Sequence, residues 1–211
     1  MTHIATSAGL IDLRAPDPAR LTPAMFAASL AKLPRWIGHT SLPISVAQHS
    51  LMVANQLPRR ARIYGLLHDA HEALIGDIAT PVEQHLDALL PGFRGLLSRV
   101  KADLDATIRA ALNVPAPDNL ILAEVFEADS RMATTEWLSL IPDVNGRREE
   151  SAVVPQDRLL TPNEMRQLED RPQRPKLKPY PMRIKAQAWP DAESNYLMAL
   201  TQELELKGWE G

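Results

Sequence analysis

Proline cuts this chain into segments that each carry one apolar stripe at helical spacing, and that pattern leaves little besides a helical bundle. Proline fixes φ and lacks an amide hydrogen, so it suits the first turn of a helix and ends one elsewhere. Thr22-Pro23 supplies a capping hydroxyl and then a first-turn proline; Phe26, Leu30 and Leu33 follow on one face, and Pro34 stops the segment. Ser45 caps a second helix in which Val46, His49, Val53 and Leu57 share a stripe, and Pro58 ends it. The run 59–75 reads as one continuous third helix, with Ile63, Leu66, Leu67, Ala70 and Leu74 inward and Gly76 past its end. Pro81 opens a short fourth helix. A long amphipathic helix follows over 94–112, then a break at 113–117 and another long helix, rich in Ala and Leu, over 120–141.

Beyond Pro142 the pattern weakens. Thr161-Pro162 again has the form of a helix start, running to Glu169, and the basic stretch 171–180 holds Pro172, Pro175 and Pro179 and should be extended. Residues 190–207 close the chain as an amphipathic helix. The first twenty residues read as an irregular lead-in, and no alternating strand pattern stands out. The expected architecture is all-α. A single domain spans 1–211, with a core over 22–141, an irregular, proline-rich section over 143–188 and a terminal helix over 190–207.

Composition narrows the chemistry. With no cysteine, thiolate sites are excluded, so a metal must be held by His, Asp and Glu, which suits Mn, Co, Zn or Mg. A net charge of -3 gives no bulk attraction to nucleic acid polymers or to a membrane surface. No apolar run reaches the length of a membrane span, and no basic flank with an apolar stretch marks a leader, so the expected compartment is the cytoplasm.

The chemistry concentrates in Leu67-His68-Asp69-Ala70-His71-Glu72. Adjacent residues project about 100° apart on a helix, so His68 and Asp69 can reach one ion lying between helices. Imidazole nitrogen and carboxylate oxygen make a mixed site for a divalent cation. Two residues do not complete a site; His49 on the second helix and Asp129 on the long helix are the candidate partners. A histidine-aspartate pair on an amphipathic helix is, taken alone, more often a surface pair, and His71 is expected to point away from the His68 and Asp69 side. His71-Glu72 also begins a zinc-protease pattern, but Ile75 stands where the second histidine is needed.

Taken together, Ser45 to Ser50, Leu66 to Ala70, Glu72, Gly76-Asp77, Thr80-Pro81-Val82 and Glu127-Ala128-Asp129 resemble the YfbR-like branch of the HD superfamily, which contains bacterial 5′-deoxynucleotidases and phage dATP triphosphohydrolases. Arg35-Trp36 resembles the Arg-Trp pair that precedes the first histidine in the deoxynucleotidases. The resemblance implies one divalent ion held by His49, His68, Asp69 and Asp129, with Glu72 as catalytic carboxylate and Asp77 as a second acidic group near the phosphate. Arg35 would face the phosphate, Trp36 and Ile37 the base or sugar, and Thr80 would belong to the substrate site. The implied reaction releases a deoxynucleoside by cleavage at the α-phosphorus. The lead-in and the Trp36-Ile37-Gly38-His39 loop lean it toward a triphosphate, with a monophosphate nucleotidase and a non-catalytic HD-like binding module as alternatives. Relatives of this kind form homo-oligomers, dimers or hexamers. One departure matters: family members often carry a lysine just after Thr-Pro, whereas Glu83 and Gln84 stand here. Compensating charge would have to come from Arg94, Arg99, Lys101 or the basic segment 171–185.

Overall fold

The computed structural model describes residues 2–142 and 177–210. The helix expected at 161–169 and the first part of the proline-rich stretch lie outside them. The described architecture is all-α apart from one hairpin, in which β1 (His3–Thr6) pairs antiparallel with β2 (Gly9–Asp12). That hairpin corrects the irregular lead-in. Its strands are too short to show an alternating pattern, and what holds them is tertiary: Ile11 is fully buried in the helical core.

The helices are α1 (Pro23–Leu30), α2 (Val46–Ala54), α3 (Arg62–Leu67), α4 (Glu72–Ile75), α5 (Thr80–Leu89), α6 (Phe93–Ala111), α7 (Asn119–Leu140) and α8 (Trp189–Leu206). The caps follow the local code. Thr22 Oγ1 accepts from Met25 N, Ser45 Oγ from Gln48 N and Asp118 Oδ1 from Ile121 N, each satisfying an amide hydrogen that the first turn leaves open.

Helix α2 is the hub, packing against α1, α3, α7 and α8. Every residue from Val46 to Ala54 except Leu51 is buried, so the single stripe read from sequence understates it. Gly65 lets α3 approach α2: a Cβ there would lie 3.0 Å from Ala54 Cα and 2.5 Å from Leu57 Cδ1. Helix α8 closes one side of the bundle, where the hydroxyl of fully buried Tyr196 donates to Leu66 O at 2.8 Å. The strap before it is extended, as its prolines require. Gln48 Nε2 donates to Lys185 O at 2.7 Å and Arg131 Nε to Lys178 O at 3.0 Å.

The continuous third helix is not what forms. The segment begins as a 3-10 turn at Arg59–Ala61, and α3 stops at Leu67. His68 Nδ1 donates to Gly65 O at 2.8 Å, the carbonyl that a regular helix would offer to the amide of Asp69. The ladder then tightens to three-residue spacing, Ala70 N to Leu67 O and Glu72 N to Asp69 O, both at 3.0 Å. Three residues per turn stack residues i and i+3, so Asp69 and Glu72 share one side. Gly76 ends α4 at φ 82 and ψ 162, a region essentially closed to side-chain-bearing residues, and turns the chain so that Asp77 faces the same space.

Candidate metal centre and substrate cleft

His49 comes from the centre of α2, His68 and Asp69 from the tightened turn after α3, and Asp129 from the middle of α7. Their side chains meet. His49 Nε2 lies 3.0 Å from Asp129 Oδ1 and 3.8 Å from Asp69 Oδ2, while His68 Nε2 lies 3.0 Å from Asp69 Oδ2 and 3.7 Å from Asp129 Oδ1. Ligand atoms of His49, His68 and Asp129 all lie within 4.8 Å of one another, and this group could hold a metal ion.

Hydrogen-bond partners assign the tautomers. A carbonyl only accepts, so His68 Nδ1 carries the hydrogen it gives to Gly65 O. His49 Nδ1 gives its hydrogen to Glu136 Oε1 at 2.6 Å. In the neutral rings both Nε2 atoms therefore present lone pairs, and both face carboxylate oxygens. Two lone pairs and two carboxylates around one point could hold a cation. Asp69 and Asp129 outweigh burial and push His68 up to about 9, and His49 is raised as well, by Glu136 and Asp129. Burial alone would raise Asp69 and Asp129, yet the facing imidazoles hold both below the usual carboxylate range. The two 3.0 Å contacts match the spacing of ligands on one ion, and the 3.7 and 3.8 Å ones are wider. An ion bound at roughly 2.1 Å sets neighbouring ligand atoms about 3.0 Å apart at right angles and about 3.4 Å apart at tetrahedral angles.

Beside this cluster opens a cleft of about 380 Å³. Arg35, Trp36, Ile37, Asp69, Glu72, Asp77, Thr80 and Asp129 line it, so the side chains singled out from sequence converge there or, for His49 and His68, directly behind it. Glu72 is buried, and its Oε2 has no hydrogen-bond partner among the described residues. Burial and then the charges of Asp69 and Asp77 push its carboxyl well above the ordinary range. Burial raises Asp77 too, with Arg35 opposing.

Three residues gain importance only here. Glu136 is wholly buried and holds the site together: besides His49, its Oε2 accepts from Arg35 Nη2 at 3.1 Å, Arg35 Nε at 3.3 Å and Trp36 Nε1 at 3.0 Å. Burial would raise it, but Arg35 and His49 bring it down to about 2. The available signal was its position seven residues after Asp129, two turns along the same face of α7. Trp137 packs its ring 5.5 Å from that of Trp36 and joins the cleft wall. His71 corrects the expectation that it points away. It is buried, lines the cleft and pairs through Nδ1 with Asp105 on α6 at 2.9 Å. Asp69, His71 and Glu72 form a second group whose ligand atoms lie within 4.8 Å of one another.

The Trp36-Ile37 turn is strained. Both residues have positive φ, 56° and 53°, which is costly for a bulky and a β-branched side chain. Its ends are pinned where Arg35 N donates to Ile44 O and Val46 N to Leu33 O, both at 3.0 Å, and Glu136 grips its indole. Of the cations considered for the missing lysine, Lys101 is the one that lines the cleft. No described residue of 177–188 does. No described helix is long and apolar enough to cross a membrane.

No family model matches the chain. It is 34% identical over 110 residues to an uncharacterized protein of Escherichia coli, YfdR, covering 52% of this chain and 56% of that one. It is also 34% identical over 116 residues to an uncharacterized protein of Rhodobacter capsulatus, covering 51% and 58%. The chain thus spans somewhat over half the length of these curated relatives.

Proposed function

We propose that this protein is a metal-dependent phosphohydrolase of the HD superfamily that cleaves the α-phosphate ester of a deoxynucleotide and frees the deoxynucleoside, with a deoxynucleoside triphosphate as the favoured substrate. The observation that carries the reading is the convergence of two imidazole lone pairs and two carboxylates beside a cleft that also holds Arg35 and a buried, partner-poor Glu72. His49, His68, Asp69 and Asp129 would hold the ion, and their nitrogen and oxygen donors suit Mn, Co, Zn or Mg. When bound, a divalent ion supplies Lewis-acid polarisation of a phosphoryl oxygen and acidifies water.

The chain's own residues do the rest. Glu72, whose anion is destabilised by burial and by its acidic neighbours, would be the base that takes a proton from an attacking water. Arg35 spends Nε and Nη2 on Glu136 and keeps its remaining donors for phosphate oxygens at the cleft. Because Glu136 is buried and anionic, Arg35 is oriented before substrate arrives, so little reorganisation is needed as charge develops. Trp36 and Trp137 form an aromatic wall against which a base or sugar can lie.

The test is to incubate the protein with each deoxynucleoside mono- and triphosphate in Mn, Co, Zn or Mg and separate the products. Release of deoxynucleoside, lost on chelation, is the expected result. Glu72→Ala should keep nucleotide binding and lose at least a hundredfold in turnover, in line with removal of a proton-transfer group. No hydrolysis of any nucleotide by the metal-loaded protein would end the proposal.

A further inference from the structure

We infer that Lys101 binds the phosphate groups beyond the α-phosphate, so that the cleft is built for a nucleoside polyphosphate; this rests on the hydrolase reading above. Arg35 and Lys101 are the Arg and Lys side chains among the described residues lining the cleft, and they come from different elements, the Arg35–Gly38 turn and α6. Arg35 stands with the metal-ligand cluster, its Nη1 3.8 Å from Asp69 Oδ2. Lys101 enters from α6. Glu72 and Asp77 each feel the positive charge of both, which puts these carboxylates within electrostatic reach of the two cations.

The lysine is held at its post. Its Nζ donates to Glu83 Oε1 at 2.6 Å, and Glu83, from the first turn of α5, is only 6% exposed. An ammonium has three donors, and the pair with Glu83 takes one. Glu83 thus fixes the position of Nζ and leaves donors for an anion in the cleft. A monophosphate held at the ion and Arg35 would leave Lys101 without a task. A chain of two further phosphates running past Glu72 would reach toward it. Five carboxylates line the cleft or its floor, Asp69, Glu72, Asp77, Glu83 and Asp129, so a polyanion needs a cation along its whole length.

The competing explanation is that Lys101 and Glu83 merely tie α6 to α5. Calorimetry in saturating Mg with inorganic tripolyphosphate and with orthophosphate separates the two, using wild type, Lys101→Met and Glu83→Gln. Lys101→Met should weaken tripolyphosphate roughly tenfold or more while orthophosphate changes less than twofold. Glu83→Gln keeps the ammonium and should retain tripolyphosphate binding. Equal binding of both anions by wild type, wild-type binding by Lys101→Met, or an equal loss in Glu83→Gln would each overturn the inference. Run beside the hydrolysis panel, the outcomes stay separable. Lys101-dependent tripolyphosphate binding with no nucleotide hydrolysis sinks the hydrolase reading alone. Monophosphate hydrolysis without tripolyphosphate binding sinks the inference alone.

Discussion

Replacing Glu136 with Gln exchanges one carboxylate oxygen for an amide nitrogen at a position with no solvent exposure, where every hydrogen bond must be re-made inside the protein. The native carboxylate accepts on both oxygens, from His49 Nδ1 on one and from Arg35 and Trp36 on the other. Gln can accept on one side only. With its oxygen toward Arg35 and Trp36, the amide meets His49 Nδ1 donor to donor. His49 must then move its hydrogen to Nε2, which removes the lone pair aimed at the candidate metal site. With its oxygen toward His49, the amide faces the donors of Arg35 and Trp36, which lose their acceptor; in either orientation the guanidinium loses the Glu136 charge. The first orientation should cost roughly 10- to 100-fold in metal affinity, the usual effect of losing the group that orients a ligating histidine. The second should cost about 1.5–3 kcal/mol of stability for the lost charge-assisted bonds. Glu136→Ala, which leaves Arg35 only the looser approach to Asp69 at 3.8 Å, should cost about 3–5 kcal/mol. Metal titration by calorimetry and urea unfolding of wild type and both variants read these directly. If Glu136→Gln bound metal as tightly as wild type and unfolded at the same urea concentration, the buried carboxylate would not be organising the site, and the tautomer assignment would be wrong.

Two further outcomes are expected from the geometry. In the metal-free protein His68 is raised from 6.5 to about 9, so its proton contributes to stability fully below pH 6.5, and that contribution fades as pH climbs through 9. An ion held by His68 would have to displace this proton, so metal affinity should rise about tenfold per pH unit below pH 9; a flat series of titrations would show that no proton is exchanged. Gly65→Ala should destabilise by about 1–3 kcal/mol, because the new methyl meets the Ala54 backbone at 3.0 Å and Leu57 at 2.5 Å; unchanged urea unfolding would mean that α2 and α3 separate freely.

Helix boundaries were largely open to reading, because caps and prolines act within a few residues. Thr22, Ser45 and Pro81 do locally what their chemistry prescribes. The interruption at His68 was not open, since it depends on a side chain taking a carbonyl from its own helix. His71 was misjudged for a related reason. A regular helix would turn it outward, whereas the tightened turn and the arrival of Asp105 from α6 bury it. The hairpin left no pattern because its four-residue strands are held by what Ile11 packs against.

From sequence alone came the helical class, the places where helices begin, the exclusion of thiolate chemistry and the residue types for a histidine-carboxylate site, all consequences of short-range sterics and side-chain chemistry. Tertiary structure alone decided that His49 and Asp129, 80 residues apart, share a hydrogen-bond distance, and that Glu136 reaches Arg35 across 101 residues. Such meetings depend on how helices pack, through a glycine contact between α2 and α3 and the burial of α2 on every side, and no local pattern in the chain encodes the resulting distances.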